Sequence, residues 1–116
     1  MRFIIAIAAL LFVPGAALAH AHLDHASPKV GSTVSPAPKE VVLSFTEAVE
    51  PKFSSIEVRD AKGNAVQVGK ASLAGDRSSL RVSLKSLPAG TYKVIWKVLS
   101  VDTHRTQGDF SFTVGR

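Results

Sequence analysis

The property that most restricts this chain is a two-residue hydrophobic period that recurs from Val41 to Val114. Leu80, Val82 and Leu84 alternate with Arg81, Ser83 and Lys85. Tyr92, Val94, Trp96 and Val98 share one face of the run from Thr91 to Ser100, and Lys93 and Lys97 lie on the other. Phe110, Phe112 and Val114 repeat the pattern, as do Val41, Leu43 and Phe45, and Ile56 with Val58. Alternation of this kind puts every second side chain on one side of an extended strand, and no stretch carries the helical period. Short runs at 21–27, 41–45, 55–59, 65–68, 80–84, 91–100 and 110–114 predict about seven strands in an all-β, antiparallel sandwich or barrel. Proline, glycine and serine make the segment from Pro28 to Pro38 loop-like. Lys62-Gly63-Asn64, Gly75-Asp76-Arg77 and Leu87-Pro88-Ala89-Gly90 read as turns. In Leu87-x-x-Gly90-x-Tyr92 the tyrosine is placed to form a corner, its phenol bonding back to nearby backbone, or to be an ordinary strand residue. Trp96, on the apolar face of the longest run, reads as core.

The first nineteen residues stand apart from this pattern. Arg2 precedes an apolar run from Phe3 to Val13 that is shorter than the roughly 20 residues a membrane span needs. Pro14-Gly15 breaks the run, and Ala17-Leu18-Ala19 is a small-x-small cleavage signal. Residues 1–19 are therefore read as a signal peptide and 20–116 as one exported domain with no membrane insertion after cleavage. Ala19-His20-Ala21 also fits a cleavage signal, so the cut falls after Ala19 or after Ala21. Loss of Arg2 leaves 13 basic residues against nine acidic ones, spread along the chain without a basic cluster or an aromatic platform, which argues against nucleic acid as a partner.

There is no cysteine, and the single methionine is Met1, which leaves with the leader. The mature chain has neither thiolate nor thioether. Disulfides, nucleophilic thiols and a dedicated Cu(I) site are excluded on that ground.

The imidazoles are grouped. His20, His22 and His25 crowd the mature start, and His104 stands two residues after Asp102 in Ser100-Val101-Asp102-Thr103-His104. In extended backbone, residues i and i+2 face one side, roughly 6.5–7 Å apart. On its own an Asp-x-His is usually a solvated turn. Cleavage after Ala19 changes its weight, because His20 then carries a free α-amine that can chelate one ion together with its own ring. If the two chain ends meet, the His20 amine, the His20 imidazole, Asp102 and His104 give three nitrogens and one oxygen, a tetragonal set that suits Cu(II) better than the tetrahedral preference of zinc. His22 is placed as a further ligand or as an imidazole that orients the ligands. Glu47 is placed as an axial oxygen or a carboxylate behind them, or as an exposed strand end. Asp24 and His25 read as surface polar residues.

These residues carry a family resemblance. The mature start His20-Ala21-His22-Leu23, Ser27-Pro28, Leu43-Ser44-Phe45-Thr46-Glu47, Gly90-Thr91-Tyr92, Trp96, Ser100-x-Asp102-x-His104 and Gly108-x-Phe110-x-Phe112 together resemble the CopC family of periplasmic copper-resistance proteins. The resemblance spans the mature chain. It implies a Greek-key sandwich or barrel of Ig-like, cupredoxin-like architecture and a non-catalytic Cu(II)-binding role in the periplasm. It carries the ligands onto His20, Asp102 and His104 and a nearby glutamate onto Glu47, with a membrane copper transporter as a candidate client. The methionine-rich loop of some members has no counterpart here. An N-terminal histidine with a second histidine on a β-sandwich also resembles the copper brace of polysaccharide monooxygenases. Against that enzyme reading, 97 residues leave little room for a substrate surface and Asp102 would fill a position that oxygen chemistry needs open. A metal-free adhesion module leaves the pairing of the two histidine-bearing ends without a purpose.

Overall fold

The computed structural model describes residues 21–116; the leader, His20 and the cleavage site after Ala19 lie outside them. Eight strands form: β1 Leu23–Ser27, β2 Thr33–Val34, β3 Glu40–Phe45, β4 Ser55–Arg59, β5 Gln67–Ala74, β6 Asp76–Leu84, β7 Gly90–Leu99 and β8 Arg105–Val114. They build two four-stranded sheets, ordered β1-β3-β6-β5 and β2-β8-β7-β4. Apart from one 3₁₀ turn, Pro51–Phe53, the described residues form no helix, and none is long and apolar enough to cross a membrane. The sandwich is the architecture the alternation predicts.

Four details differ from that reading, the first being that the last strand, expected at 110–114, begins at Arg105 because it pairs with β7 along its whole length. The proline-rich segment contains β2, two residues that pair in parallel with Thr113 and Val114, so the sandwich has eight strands and one parallel pair. Thr33–Val34 is too short to carry a hydrophobic period, so it leaves no pattern to read. The strand expected at 65–68 begins at Gln67 and runs on to Ala74. Its side chains lie at an open sheet edge, half-buried or exposed throughout, so no alternation marks it. The turn expected at 75–77 contracts to Gly75, whose φ of 96° only glycine adopts readily, and Asp76 and Arg77 already belong to β6.

The inward positions match. Val41, Leu43, Val58, Leu80, Val82, Val94, Val98 and Phe112 are almost fully buried between the sheets, and Leu84 packs on their margin. The Tyr92 hydroxyl donates to the Pro88 carbonyl at 2.6 Å and its ring stacks on Phe112, with centroids 5.6 Å apart, so the tyrosine corner is formed.

Trp96 is buried, meeting Phe45 edge to face at 5.2 Å. Gly108 lies opposite it on β8, and a Cβ there would stand 2.6 Å from the indole ring. Gly108→Ala is therefore expected to lower stability by about 1–3 kcal/mol, because a packed tryptophan has no room to retreat. Urea denaturation reads this directly, and an unchanged midpoint would contradict the packing.

Candidate metal centre

The long β7–β8 hairpin pairs residue for residue from Gly90↔Val114 to Leu99↔Arg105, and Ser100–His104 closes its end. The Asp-x-His segment is a turn, so its two side chains do not keep the roughly 6.5–7 Å spacing of extended backbone. Thr103 has a φ of 72°, and its N–H donates to the Ser100 carbonyl at 2.9 Å. A β-branched residue in the left-handed region is rare, and it persists where surrounding bonds fix the chain. Ser100 supplies those bonds. Its hydroxyl is wholly buried, donates to Asp102 Oδ1 and accepts the His104 N–H at 3.1 Å, while the Ser100 N–H donates to the His104 carbonyl at 2.9 Å. The turn brings Asp102 Oδ1 and His104 Nδ1 to 3.4 Å, much closer than extended backbone would, with both side chains a little under half exposed. The Ser100 hydroxyl, and after it His104, hold the Asp102 carboxyl below the usual carboxylate range against the opposing effect of desolvation. Near neutral pH the turn thus presents an anionic oxygen next to an imidazole.

The start of the described chain reaches the same corner. Ala21 is completely buried, and its carbonyl accepts the Thr106 hydroxyl at 2.6 Å across 85 residues of sequence. Thr106 follows His104 by two residues, so this bond holds Ala21 against the strand that leaves the Asp102 turn. His22 is clamped by Thr46, its N–H donating to Oγ1 at 2.9 Å and its carbonyl accepting the Thr46 N–H at 2.9 Å. The segment after Thr46 also borders the turn: Val49 bridges Ser100, and the Val101 N–H donates to the Ala48 carbonyl at 3.1 Å. That leaves Glu47, half-buried, between the His22 clamp and the Asp102 turn. Among the described residues, no three His, Asp or Glu side chains converge as a metal-holding group, so the paired donors the structure brings together are Asp102 and His104. The backbone of His22 pairs with Thr46, and Glu47 lies between Thr46 and the Ala48–Val49 segment that bonds to the turn. Asp24 and His25 form a separate exposed contact, Oδ2 to Nδ1 at 3.0 Å, at a register shift of β1 against β3.

Sequence reasoning gave no role to three residues that position this corner. Ser100 was the one with a signal: it continues the inward series Tyr92, Val94, Trp96, Val98, and a hydroxyl at a buried position must find partners. Thr46 and Thr106 have no signal, since threonine is ordinary in strands. Ser100→Ala leaves Asp102 and His104 in place but removes what orients them. Metal affinity is expected to fall 10- to 100-fold, the usual effect of losing a partner that orients ligands, with a stability loss of about 1–3 kcal/mol for the orphaned His104 N–H. Metal competition with the fold checked by circular dichroism measures both; unchanged affinity would mean that the turn orients no ligand.

Comparison with known proteins points the same way. A family model described as the CopC domain matches residues 23–115. The chain is 37% identical to Protein YobA of Escherichia coli (strain K12), over 98% of this chain and 94% of that protein. It is 39% identical to Copper resistance protein C of Xanthomonas campestris pv. juglandis, over 84% of this chain and 82% of that protein. The crystal structure of PcoC, a methionine-rich copper resistance protein from Escherichia coli, matches with a TM-score of 0.75 at 34% identity, covering 84% of this chain and 100% of that one.

Proposed function

The chain belongs to the CopC family, and from that premise we propose that it is a periplasmic protein that binds one Cu(II) per mature chain and carries or sequesters it in copper resistance. The observation that carries the reading is the Thr106–Ala21 hydrogen bond, which ties the first described residue to the strand that begins just after His104. Removal of residues 1–19 would put a free amine and an imidazole on His20, directly before that anchor. With Asp102 and His104 they form a set of three nitrogens and one carboxylate oxygen, which fits tetragonal Cu(II). The charged Asp102 carboxylate offsets part of the ion's charge, and the half-exposed pair leaves the metal a route in and out, as delivery to a membrane transporter or other acceptor requires. His22 and Glu47 are the candidates for an added ligand or a group that orients the others.

PcoC is a methionine-rich relative; the mature chain here has no sulfur at all, so Cu(I) has no soft ligand to hold it. The test is the intact mass of the exported protein with and without Cu(II), together with competition against Cu(II) and Cu(I) chelators. A mass beginning at His20, one copper per chain, lost affinity in His104→Ala and no retention of Cu(I) are expected. A chain beginning at His22, or Cu(I) held as tightly as Cu(II), overturns the ligand assignment.

A further inference from the structure

The mature start His20-Ala21-His22 offers copper a second way to bind that uses neither Asp102 nor His104. In a free peptide with an amine at position one and an imidazole at position three, Cu(II) is anchored at both ends. It then replaces the protons of the two amides between them: two N–H bonds break, two Cu–N bonds form, and two protons go to solvent. The product is a planar four-nitrogen chelate of the kind Cu(II) prefers. Its metal leaves only as both amides regain their protons, which suits a trap better than a carrier.

The fold ties down both of the residues that would have to wrap the metal. The His22 amide N–H is engaged by Thr46 Oγ1 and the His22 carbonyl by the Thr46 N–H, each at 2.9 Å. Ala21 is completely buried, with its carbonyl on the Thr106 hydroxyl at 2.6 Å. Closing the planar chelate takes the proton from the His22 amide and so breaks its bond to Thr46 Oγ1, and bending Ala21 and His22 around the metal would work against the two carbonyl bonds and the burial of Ala21. We infer that Thr46 and Thr106 are positioning residues that bar this three-residue chelate and so direct Cu(II) to the Asp102 and His104 side. The inference rests on the proposed His20 terminus. Under it His22 contributes its ring alone, and the copper stays exchangeable.

The visible ligand-field band of Cu(II) distinguishes the two modes, because two amide nitrogens raise the field and move the band to shorter wavelength. One equivalent of copper(II) sulfate is added to the mature protein with its His20 start verified by mass, and to the synthetic peptide His-Ala-His-Leu. The wild-type band is expected at longer wavelength than the peptide's. Thr46→Val combined with Thr106→Val is expected to shift the band to the peptide position, His22→Ala added to that pair to abolish the shift, and Thr46→Ser, which keeps the hydroxyl, to retain the wild-type spectrum. A wild-type band already at the peptide position overturns the inference without any variant having to fold. So does a folded double variant, confirmed by circular dichroism, that keeps the wild-type band. The copper-site reading fails separately, by a wild-type spectrum indifferent to His104→Ala.

Discussion

Leaving Ala19 attached ahead of His20 is expected to weaken Cu(II) binding by more than about 100-fold, beyond the 10- to 100-fold typical of disturbing a group that only orients a ligand. The added residue converts the His20 amine into an amide and leaves its imidazole intact. What disappears is one donor and the ring that amine and imidazole close together on the metal, a loss on the order of 3 kcal/mol or more at 1.4 kcal/mol per tenfold. Stability is expected to be unchanged, because the described core begins at Ala21, whose anchor on Thr106 is made by its carbonyl and does not involve the residue before it. His104→Ala is expected to show a comparable loss. His25→Ala is expected to show none, since its ring pairs with Asp24 in solvent. The measurement is Cu(II) competition on protein whose N-terminus has been verified by mass. Equal affinity in the extended and processed proteins would mean that the two ends of the chain do not share a copper ion.

The parts of this molecule that were legible in the sequence are those governed by a repeated physical rule. Burial of every second residue marked β3, β4, β6 and β7 and placed Trp96 in the core, while Tyr92 stood open between a corner and an ordinary strand residue until its hydroxyl was found on the Pro88 carbonyl. β5 was misread because an edge strand with half-buried and exposed faces has no reason to alternate. The Asp-x-His segment was legible as a corner after the longest strand, but the backbone conformation that closes it was not. Thr103 adopts a left-handed conformation that its own β-branched side chain disfavours, and only bonds from Ser100 and the neighbouring strands hold it there. The same holds for the approach of the two chain ends. Residues 21 and 106 meet through a threonine hydroxyl that no spacing rule would single out. The grouping of histidines and the Asp-x-His pair is written in the sequence, whereas the threonines that aim the chain are not singled out there.

Acidification from pH 7 to pH 5 is expected to lower Cu(II) affinity by about 10³-fold or more, with more than one proton taken up for each copper released. A free α-amine, which ordinarily titrates at about 7.7–8.0, competes for protons across the whole window and alone gives roughly tenfold per pH unit, and each ring nitrogen that must bind the metal without its proton adds to it. The carboxylate does not contribute to the fall. Asp102 has its folded pKa depressed, chiefly by the Ser100 hydroxyl, so the stability it lends to the turn is present above the unfolded carboxylate value. That stability is lost only as pH drops through the depressed folded value, below this window. The turn and its anionic oxygen therefore persist at pH 5. Copper competition at half-unit intervals, with circular dichroism to follow the fold, gives the slope directly. The protein that retains Ala19 supplies the internal control. Its amine is on Ala19 and no longer shares a residue with the His20 ring, so its affinity should be lower at pH 7 and, if that displaced amine does not bind, its slope shallower by one proton per copper. Equal slopes in the two proteins would remove the amine from the site, and an affinity flat across the window would remove the imidazoles as well.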